Sequence, residues 1–311
     1  MTAPSWTFGR IEMPGGGFVR TGRMAETAPL AGSVLLLTGR CEFMEKYAEQ
    51  ARDWAARGWR VHGCDWRGQG GSSRFLAQRH KGHVPDFDCF LDDLSAVQAA
   101  LIVTAPRPLV VFAHSMGGHV ALRFAAETAT PWDGLILSAP MLGIRTIPER
   151  IAVTLARAMV GLGRAGAYAP GQLDYREELQ RFDGNVLTSD PVRFRAALDA
   201  IRANPDLALG GITWGWLDAA YRSIEKLLKR DPLANIAMPV LMLSAGQDQV
   251  VITERQAALV ARLPNARQKL YPASQHELMM EHDSIRAQVW ADIDAFLAEL
   301  AAPGAARVTN R

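Results

Sequence analysis

The residues of this chain that could do chemistry begin with a serine at the end of an apolar run. The run Leu109–Ala113 predicts a short strand, and a helical pattern starts directly after Ser115. A serine at so sharp a turn is exposed at its apex, and the backbone N–H of Met116 points towards whatever approaches the hydroxyl. The small residues Ala113 and Gly117 leave room for the turn. The pattern favours a nucleophilic Ser115, with an ordinary strand-to-helix turn as the alternative.

A serine hydroxyl is a weak nucleophile at neutral pH, so it needs a base that is itself oriented by an acid. Of the seven histidines, His276 follows the last predicted strand, Gln268–Tyr271, at the edge where the sites of open α/β folds assemble. Asp248 follows the apolar run Val240–Leu243. The chain order of serine, acid and histidine is that of a hydrolytic triad. Taken singly, Asp248 as a helix-capping acid and His276 as a surface histidine are the alternatives.

Other histidines and acids fit these roles less well. His114 precedes the serine and should point away from it, while His119 should lie on the new helix. Asp283 follows the candidate base and is expected to cap the last helix.

A serine nucleophile also requires two donors for the tetrahedral oxyanion. The backbone N–H of Met116 is one candidate. The second is the N–H of Arg40, because Gly39 before it lets the backbone approach closely. A plain turn explains Gly39 equally well.

Short apolar strands alternate with helical patterns around these residues. A leading hairpin, Trp6–Met13 with Phe18–Met24, precedes the strands Val34–Thr38 and Trp59–Gly63, and Gly134–Ser138 follows the serine. Helices are predicted at about Phe43–Arg57 and Phe90–Thr104. This alternation predicts an α/β fold with a mostly parallel sheet and helices on both faces.

The alternation stops after the Gly134–Ser138 strand. Residues 141–232 show helical patterns without a convincing strand. We interpret 141–232 as an inserted helical cap, 1–140 together with 233–302 as the α/β core, and 303–311 as a frayed tail.

Composition excludes several other classes of protein. The 311 residues are 49% hydrophobic and 21% charged, as in globular proteins, and a net charge of +2 is too small for a nucleic-acid partner. No membrane-spanning run or secretory leader is visible, and the dispersed Cys41, Cys64 and Cys89 fit reduced thiols, so we expect a cytoplasmic protein. The glycines of Pro14–Gly17 and Gly161–Gly166 lack the context of nucleotide-binding motifs. No cofactor or metal is predicted, and the oligomeric state is left open.

Taken together, the motifs resemble the lysophospholipase and monoacylglycerol-lipase branch of the α/β-hydrolases. The resemblance spans about residues 10–300, with the cap matching in position alone. It is carried by five segments, which are His114–Gly118, Asp65–Ser72, Gly39–Tyr47, Gly246–Asp248 and Gln275–Glu277. Relatives commonly carry His-Gly where this chain has Thr38-Gly39.

The resemblance implies an α/β-hydrolase fold with an eight-stranded sheet. It also implies that the loop Asp65–Ser73 supports the loop that carries Gly39 and Arg40, called the oxyanion loop below, and takes no part in the chemistry. The implied site residues are the triad Ser115, Asp248 and His276 and the oxyanion donors Met116 and Arg40.

The predicted cap carries the clues to the substrate. Its segment Pro148–Gly163, with Arg164 after it, places a row of arginines beside an apolar stripe of Ile151, Leu155, Met159 and Leu162. Such a helix suits an anionic membrane surface or an acyl chain, with a packed cap helix and solvated arginines as the alternative. Trp214 and Trp216 belong to a second apolar cluster. With Met159 they are the candidate substrate-binding residues, and core packing is the alternative.

We therefore expect a serine hydrolase that cleaves the acyl ester of a lysophospholipid or monoacylglycerol through an acyl-enzyme on Ser115. The expected partners are this ester substrate and, through the cap, a membrane surface. A short-chain carboxylesterase, a thioesterase and a peptidase are alternatives on the same triad, with Glu177-Glu178 as the signal for a peptidase. A non-catalytic hydrolase-like binding module is the alternative of a different class.

Overall fold

The structure, a computed structural model, describes residues 5–25, 30–102, 104–229 and 233–302. Within these residues, eight strands form one sheet in the order β1-β2-β4-β3-β5-β6-β7-β8. The strands are β1 (Trp6–Glu12), β2 (Phe18–Met24), β3 (Gly32–Leu37), β4 (Trp59–Asp65), β5 (Leu109–His114), β6 (Gly134–Ser138), β7 (Val240–Ala245) and β8 (Ala266–Tyr271). The predicted frayed tail, 303–311, lies outside the described residues.

The pairing of the strands confirms the predicted sheet. β1 and β2 form the leading hairpin, and β2 pairs antiparallel with β4. All the other neighbours pair in parallel. The carboxyl ends of β3, β5, β6, β7 and β8 therefore lie at one edge of the sheet.

The central strands are apolar because both faces of the sheet are covered. Every residue of β3, β5, β6 and β7 is buried. Along β3, Val34 and Leu36 pack into one apolar cluster, while Leu35 and Leu37 pack into the other. This alternation with a period of two places a hydrophobic core on each face.

Helices cover both faces. They are α1 (Ala48–Ala56), α2 (Asp88–Val97), α3 (Ser115–Glu127), α4 (Glu149–Gly161), α5 (Pro191–Ala203), α6 (Trp214–Lys229), α7 (Thr253–Val260) and α8 (Asp283–Ala301). One cluster receives Trp54 from α1 and Trp290 from α8. The other receives Phe90 from α2, Phe124 from α3 and Leu259 from α7.

The boundaries of several helices differ from the prediction. The helix expected at Phe43–Arg57 begins as a 3-10 turn, Met44–Tyr47, before α1. The helix expected at Phe90–Thr104 begins at Asp88 and changes into a wider π turn at Gln98–Ile102. No helix among the described residues is both long and apolar enough to cross a bilayer.

The interval between β6 and β7 holds α4, α5 and α6 and, among its described residues, no strand. Three isolated bridges, for example Tyr168 with Thr213, connect described residues of this interval to each other or to neighbouring segments. α6 packs on both sides: Trp214 and Tyr221 contact α4, while Trp216 and Ile224 join the main core. The division of the chain into a core and a cap at 141–232 stays a prediction, and α6 ties the two parts together.

Candidate active site

Ser115 lies at a strained junction between β5 and α3. Its φ is +50°, in the left-handed region that non-glycine residues avoid. A Cβ on Gly117 would lie 2.5 Å from the carbonyl oxygen of Thr38, so this position accepts only glycine without movement of the backbone. The turn therefore holds the serine at the carboxyl end of β5 and brings α3 against the end of β3.

The structure brings Ser115, His276 and Asp248 together in one hydrogen-bonded line. Nε2 of His276 lies 3.0 Å from Oγ of Ser115, and Nδ1 lies 2.7 Å from Oδ2 of Asp248. All three side chains are buried. The arrangement allows the imidazole to take a proton from the serine while the carboxylate fixes its tautomer.

Asp248 is held as a carboxylate by its surroundings. Its Oδ1 accepts hydrogen bonds from the N–H groups of Val250 (2.8 Å) and Val251 (2.9 Å). Burial on its own would raise the pKa of Asp248, but these bonds and the hydrogen bond and charge of His276 lower it below the ordinary value. The rival acid, Asp283, lies in the first turn of α8 and accepts a hydrogen bond from Arg193.

The prediction that His114 points away from Ser115 is wrong. Its ring lies 4.8 Å from that of His276, centroid to centroid, and Nδ1 lies 3.0 Å from the carbonyl oxygen of Ser138. The backbone of His114 is extended before the left-handed turn at Ser115, so its side chain packs beside the loop that carries His276. His119 lies on α3, as predicted, and contacts Oγ of Ser223 at 2.6 Å.

The two candidate oxyanion donors are backbone groups at adjacent strand ends. Met116 lies in the first turn of α3, where N–H groups have no partner within the helix. Arg40 lies in the loop after β3, and no hydrogen bond within the described chain uses its N–H. Both residues are at the carboxyl edge of the sheet. Met116 is next to Ser115, and Arg40 lies in the wall of the cavity that reaches Ser115.

Side chains from two segments hold the loop that carries Arg40. Glu42 accepts a hydrogen bond from the N–H of Gly39 at 2.5 Å. The amide of Gln69 donates to the carbonyl oxygen of Gly39 (2.6 Å) and accepts from the N–H of Cys41 (3.2 Å). Trp66 Nε1 donates to the carbonyl oxygen of Thr38 at 2.8 Å. The prediction that the Asp65–Ser73 loop buttresses this loop is confirmed.

Behind the oxyanion loop lies a buried cluster of charged groups. Glu42, His114 and Glu277 place potential ligand atoms within 4.8 Å of one another, the one such grouping found in the described part of the chain. The ammonium of Lys46 already bonds Glu42 (2.7 Å) and Glu277 (2.6 Å), so the cation at this position is a side chain. Its charge, opposing the effect of burial, lowers the pKa of Glu42 well below its usual range.

A cavity of about 440 Å³ reaches Ser115 and His276. Its charged lining includes Arg40, Arg176 and Arg193. Much of its wall is apolar and comes from the interval between β6 and β7, through Leu173, Leu179, Leu187, Phe194, Leu198 and Ile201. The site can therefore hold an amphiphile with its apolar part against these residues.

The three candidate substrate-binding residues lie elsewhere. Trp214 is buried in the cluster between α4 and α6, Trp216 is buried in the main core, and Met159 packs against the first of these clusters. None of them lines the cavity at Ser115. The prediction that they bind substrate rested on two apolar patterns in the predicted cap, and packing between helices accounts for both patterns.

Known proteins with a similar sequence place the chain in a family. A family model described as serine aminopeptidase, S33, matches residues 28–283. The chain belongs to this hydrolase family. It is 31% identical over 270 residues to a probable lysophospholipase L2 of Haemophilus influenzae, covering 85% of this chain and 83% of the relative. It is 32% identical over 267 residues to lysophospholipase L2 of Escherichia coli K12, covering 82% and 76%.

A solved structure shows the same fold as this S33 hydrolase. The match is a soluble variant of monoglyceride lipase from Saccharomyces cerevisiae in complex with a substrate analog. The TM-score is 0.73 at 19% identity, and the match covers 97% of this chain and 98% of the other. The predicted α/β-hydrolase fold is confirmed.

Sequence reasoning missed the cavity wall and the charged cluster of this S33 hydrolase. Phe194 and Leu198 follow a helical period, but the sequence does not show which face of α5 turns towards Ser115. Lys46 was part of a motif, Gly39–Tyr47, yet its partner Glu277 is 231 residues away in the chain. The one available signal was the charged residue directly after the candidate base.

Proposed function

We propose that this protein is a serine hydrolase that cleaves the acyl ester of a lysophospholipid through an acyl-enzyme on Ser115. The observation that carries the proposal is the line of hydrogen bonds from Asp248 through His276 to Ser115 at a cavity with apolar walls. The names of two relatives, both lysophospholipase L2, support this substrate class. A monoacylglycerol is the alternative substrate.

The geometry suggests the steps of the reaction. Oγ of Ser115 attacks the ester carbonyl carbon while Nε2 of His276 takes the hydroxyl proton, and Asp248 stabilises the imidazolium. The N–H groups of Met116 and Arg40 bind the oxyanion. The carbon–oxygen bond of the ester then breaks, and His276 gives its proton to the leaving alcohol. Water repeats the sequence on the acyl-enzyme and releases the fatty acid.

Two guanidinium groups in the cavity wall favour an anionic head group. Lys46 and Arg193 also line the cavity, but each is paired with at least two carboxylates. Arg40 and Arg176 form no ion pair with a described residue. Because arginine binds phosphate through paired hydrogen bonds, these two side chains suit the phosphate of a lysophospholipid better than a neutral glycerol.

A peptidase has less support, although the family is described as serine aminopeptidase. An aminopeptidase needs a carboxylate that binds the amino terminus of its substrate. Glu177 is paired with Arg202, and neither Glu177 nor Glu178 lines the cavity. Asp174 lines it, but its Oδ1 already accepts a hydrogen bond from the hydroxyl of Tyr168.

The proposal is tested by hydrolysis of esters with graded acyl length, with and without a phosphate head group. We expect long-chain lysophospholipids to be cleaved best. Arg176→Gln should raise KM for them by about tenfold and change KM for monoacylglycerols less than about twofold. Arg195→Gln is the matched control, because Arg195 is an exposed arginine of α5 outside the cavity lining. Activity confined to short esters, thioesters or peptides would contradict the lipid substrate.

We also propose that α4 contacts the membrane surface. Three residues of its apolar stripe are exposed, Ile151 at 51%, Leu155 at 43% and Leu162 at 75%. The fourth, Met159, packs against the cluster between α4 and α6, and Ala152 and Ala156 form the buried face. Arg150 and Arg164 flank the stripe and form no ion pair with a described residue, whereas Arg157 between them pairs with Glu225 at 3.0 Å. An exposed apolar stripe beside arginines suits an anionic bilayer, where a lysophospholipid resides.

A further inference from the structure

Two loops must keep their relative position for the proposed reaction. The first carries Gly39 and Arg40, the source of one oxyanion donor. The second carries His276, the base. They are far apart in sequence, since β3 precedes the first and β8 precedes the second.

Glu42 holds the oxyanion loop from behind. Its Oε2 accepts from the N–H of Gly39 (2.5 Å) and from the hydroxyl of Tyr47 (2.6 Å). Its Oε1 accepts from Nζ of Lys46 at 2.7 Å. The position of this carboxylate therefore sets the position of the peptide that precedes Arg40.

Glu277 performs the corresponding task for the histidine loop. It follows His276 directly, and its backbone N–H donates to the carbonyl oxygen of Leu187 at 2.8 Å. Its Oε1 accepts from the same Nζ of Lys46 at 2.6 Å. The side chains of Lys46, Glu42 and Glu277 are exposed by only 10%, 5% and 7%, so water screens these ion pairs little.

We propose that Lys46 is a positioning residue that ties the oxyanion loop to the histidine loop by holding Glu42 and Glu277 on one ammonium group. The proposal rests on the proposed function. Lys46 does no chemistry itself. Without it, two buried carboxylates face each other without a counter-charge, and their repulsion moves the Gly39 peptide and His276 apart.

The test is the kinetics of Lys46→Met on a substrate that the wild-type protein cleaves. We expect kcat to fall by about 10- to 1,000-fold while KM changes less than about threefold, because the oxyanion donor acts in the transition state. Lys46→Arg should recover part of kcat. The ratio of wild-type kcat to Lys46→Met kcat should be smaller at about pH 6 than at about pH 8, because protonation of one carboxylate relieves the repulsion.

Arg286→Met provides the matched control. Arg286 also bridges two carboxylates, Glu49 and Asp53, and its side chain is 7% exposed. This bridge joins α8 to α1 and contacts neither loop. We expect Arg286→Met to lower stability while kcat stays within about twofold of wild type.

The double variant Lys46→Met/Glu277→Gln keeps the proposal testable if Lys46→Met does not fold. It removes both charges of the Lys46–Glu277 ion pair, so we expect it to fold. Its kcat should be about 10- to 100-fold below that of wild type and above that of folded Lys46→Met. Wild-type kcat in the folded Lys46→Met or in the double variant would overturn the proposal. Failure of the wild-type protein to cleave any ester would instead overturn the proposed function.

Discussion

The imidazole rings of His114 and His276 lie 4.8 Å apart, with their planes tilted by 54°. Burial lowers the pKa of His114 to about 4, so this ring is neutral at neutral pH. A neutral neighbour adds no positive charge beside the imidazolium that forms on His276. His114 therefore supports the candidate base by packing without opposing its protonation.

Buried neutral histidines predict that the protein loses stability in acid. Burial, with the charge of Arg123, lowers the pKa of His119 from 6.5 to about 3. Between these values the unfolded chain binds a proton that the folded chain does not, so the free energy of unfolding falls as pH falls below 6.5. The loss from His119 is about 2 kcal/mol at about pH 5.

Urea unfolding at several pH values checks this prediction with His119→Gln. The variant should lose less stability than wild type between neutral pH and pH 5 by about 2 kcal/mol, whatever its stability at neutral pH. An identical pH dependence of the two proteins would show that His119 is not the buried group responsible.

Gln69 lies outside the triad, and we expect its substitution to lower kcat. Gln69→Leu removes the hydrogen bonds to Gly39 and Cys41 and leaves the triad in place. We expect kcat to fall by about 10- to 100-fold with little change in KM, because the loop of the oxyanion donor loses its support. Gln268→Leu is the control, since this amide donates to Oγ of Ser244 away from the loop. Equal effects of the two variants would contradict the assignment.

Gly117 predicts a steric effect at the turn. In Gly117→Ala the new Cβ would lie 2.5 Å from Thr38 O and 2.8 Å from Leu37 O, both backbone atoms. We expect the free energy of unfolding to fall by about 2 kcal/mol or more and activity to fall with it. Gly161→Ala is the control, because no atom lies within 4 Å of its new Cβ at the end of α4. Thermal unfolding that leaves both variants unchanged would contradict the close approach of α3 to β3.

The exposed stripe of α4 predicts binding to anionic vesicles. Ile151→Ser/Leu162→Ser should weaken partition into phosphatidylglycerol vesicles by about tenfold or more, because two apolar side chains leave the interface. Leu270→Ser, at another exposed leucine on β8, should leave partition unchanged. Cosedimentation with vesicles measures both. Equal partition of all three proteins would exclude α4 as the contact.

The sequence predicted the sheet and the positions of Ser115, Asp248 and His276 because strand ends can be read locally. Ser115 and Asp248 each follow an apolar run that predicts a buried strand, His276 follows the last predicted strand, and parallel strands bring their carboxyl ends to one edge. Contacts between segments that are distant in the chain could not be predicted from local sequence patterns. No local pattern joins Lys46 to Glu277, and none shows that Trp216 packs into the core while Phe194 faces the cavity.

The most direct test of the account is stoichiometric labelling with a fluorophosphonate, followed by intact-mass and peptide analysis. Such a probe reacts with a serine that a neighbouring base activates. We expect one adduct per chain on the peptide that contains Ser115, no adduct on Ser115→Ala, and labelling slower by several orders of magnitude for His276→Ala. A folded wild-type protein that does not label, or a Ser115→Ala protein that labels equally, would contradict the assignment of Ser115 as the nucleophile.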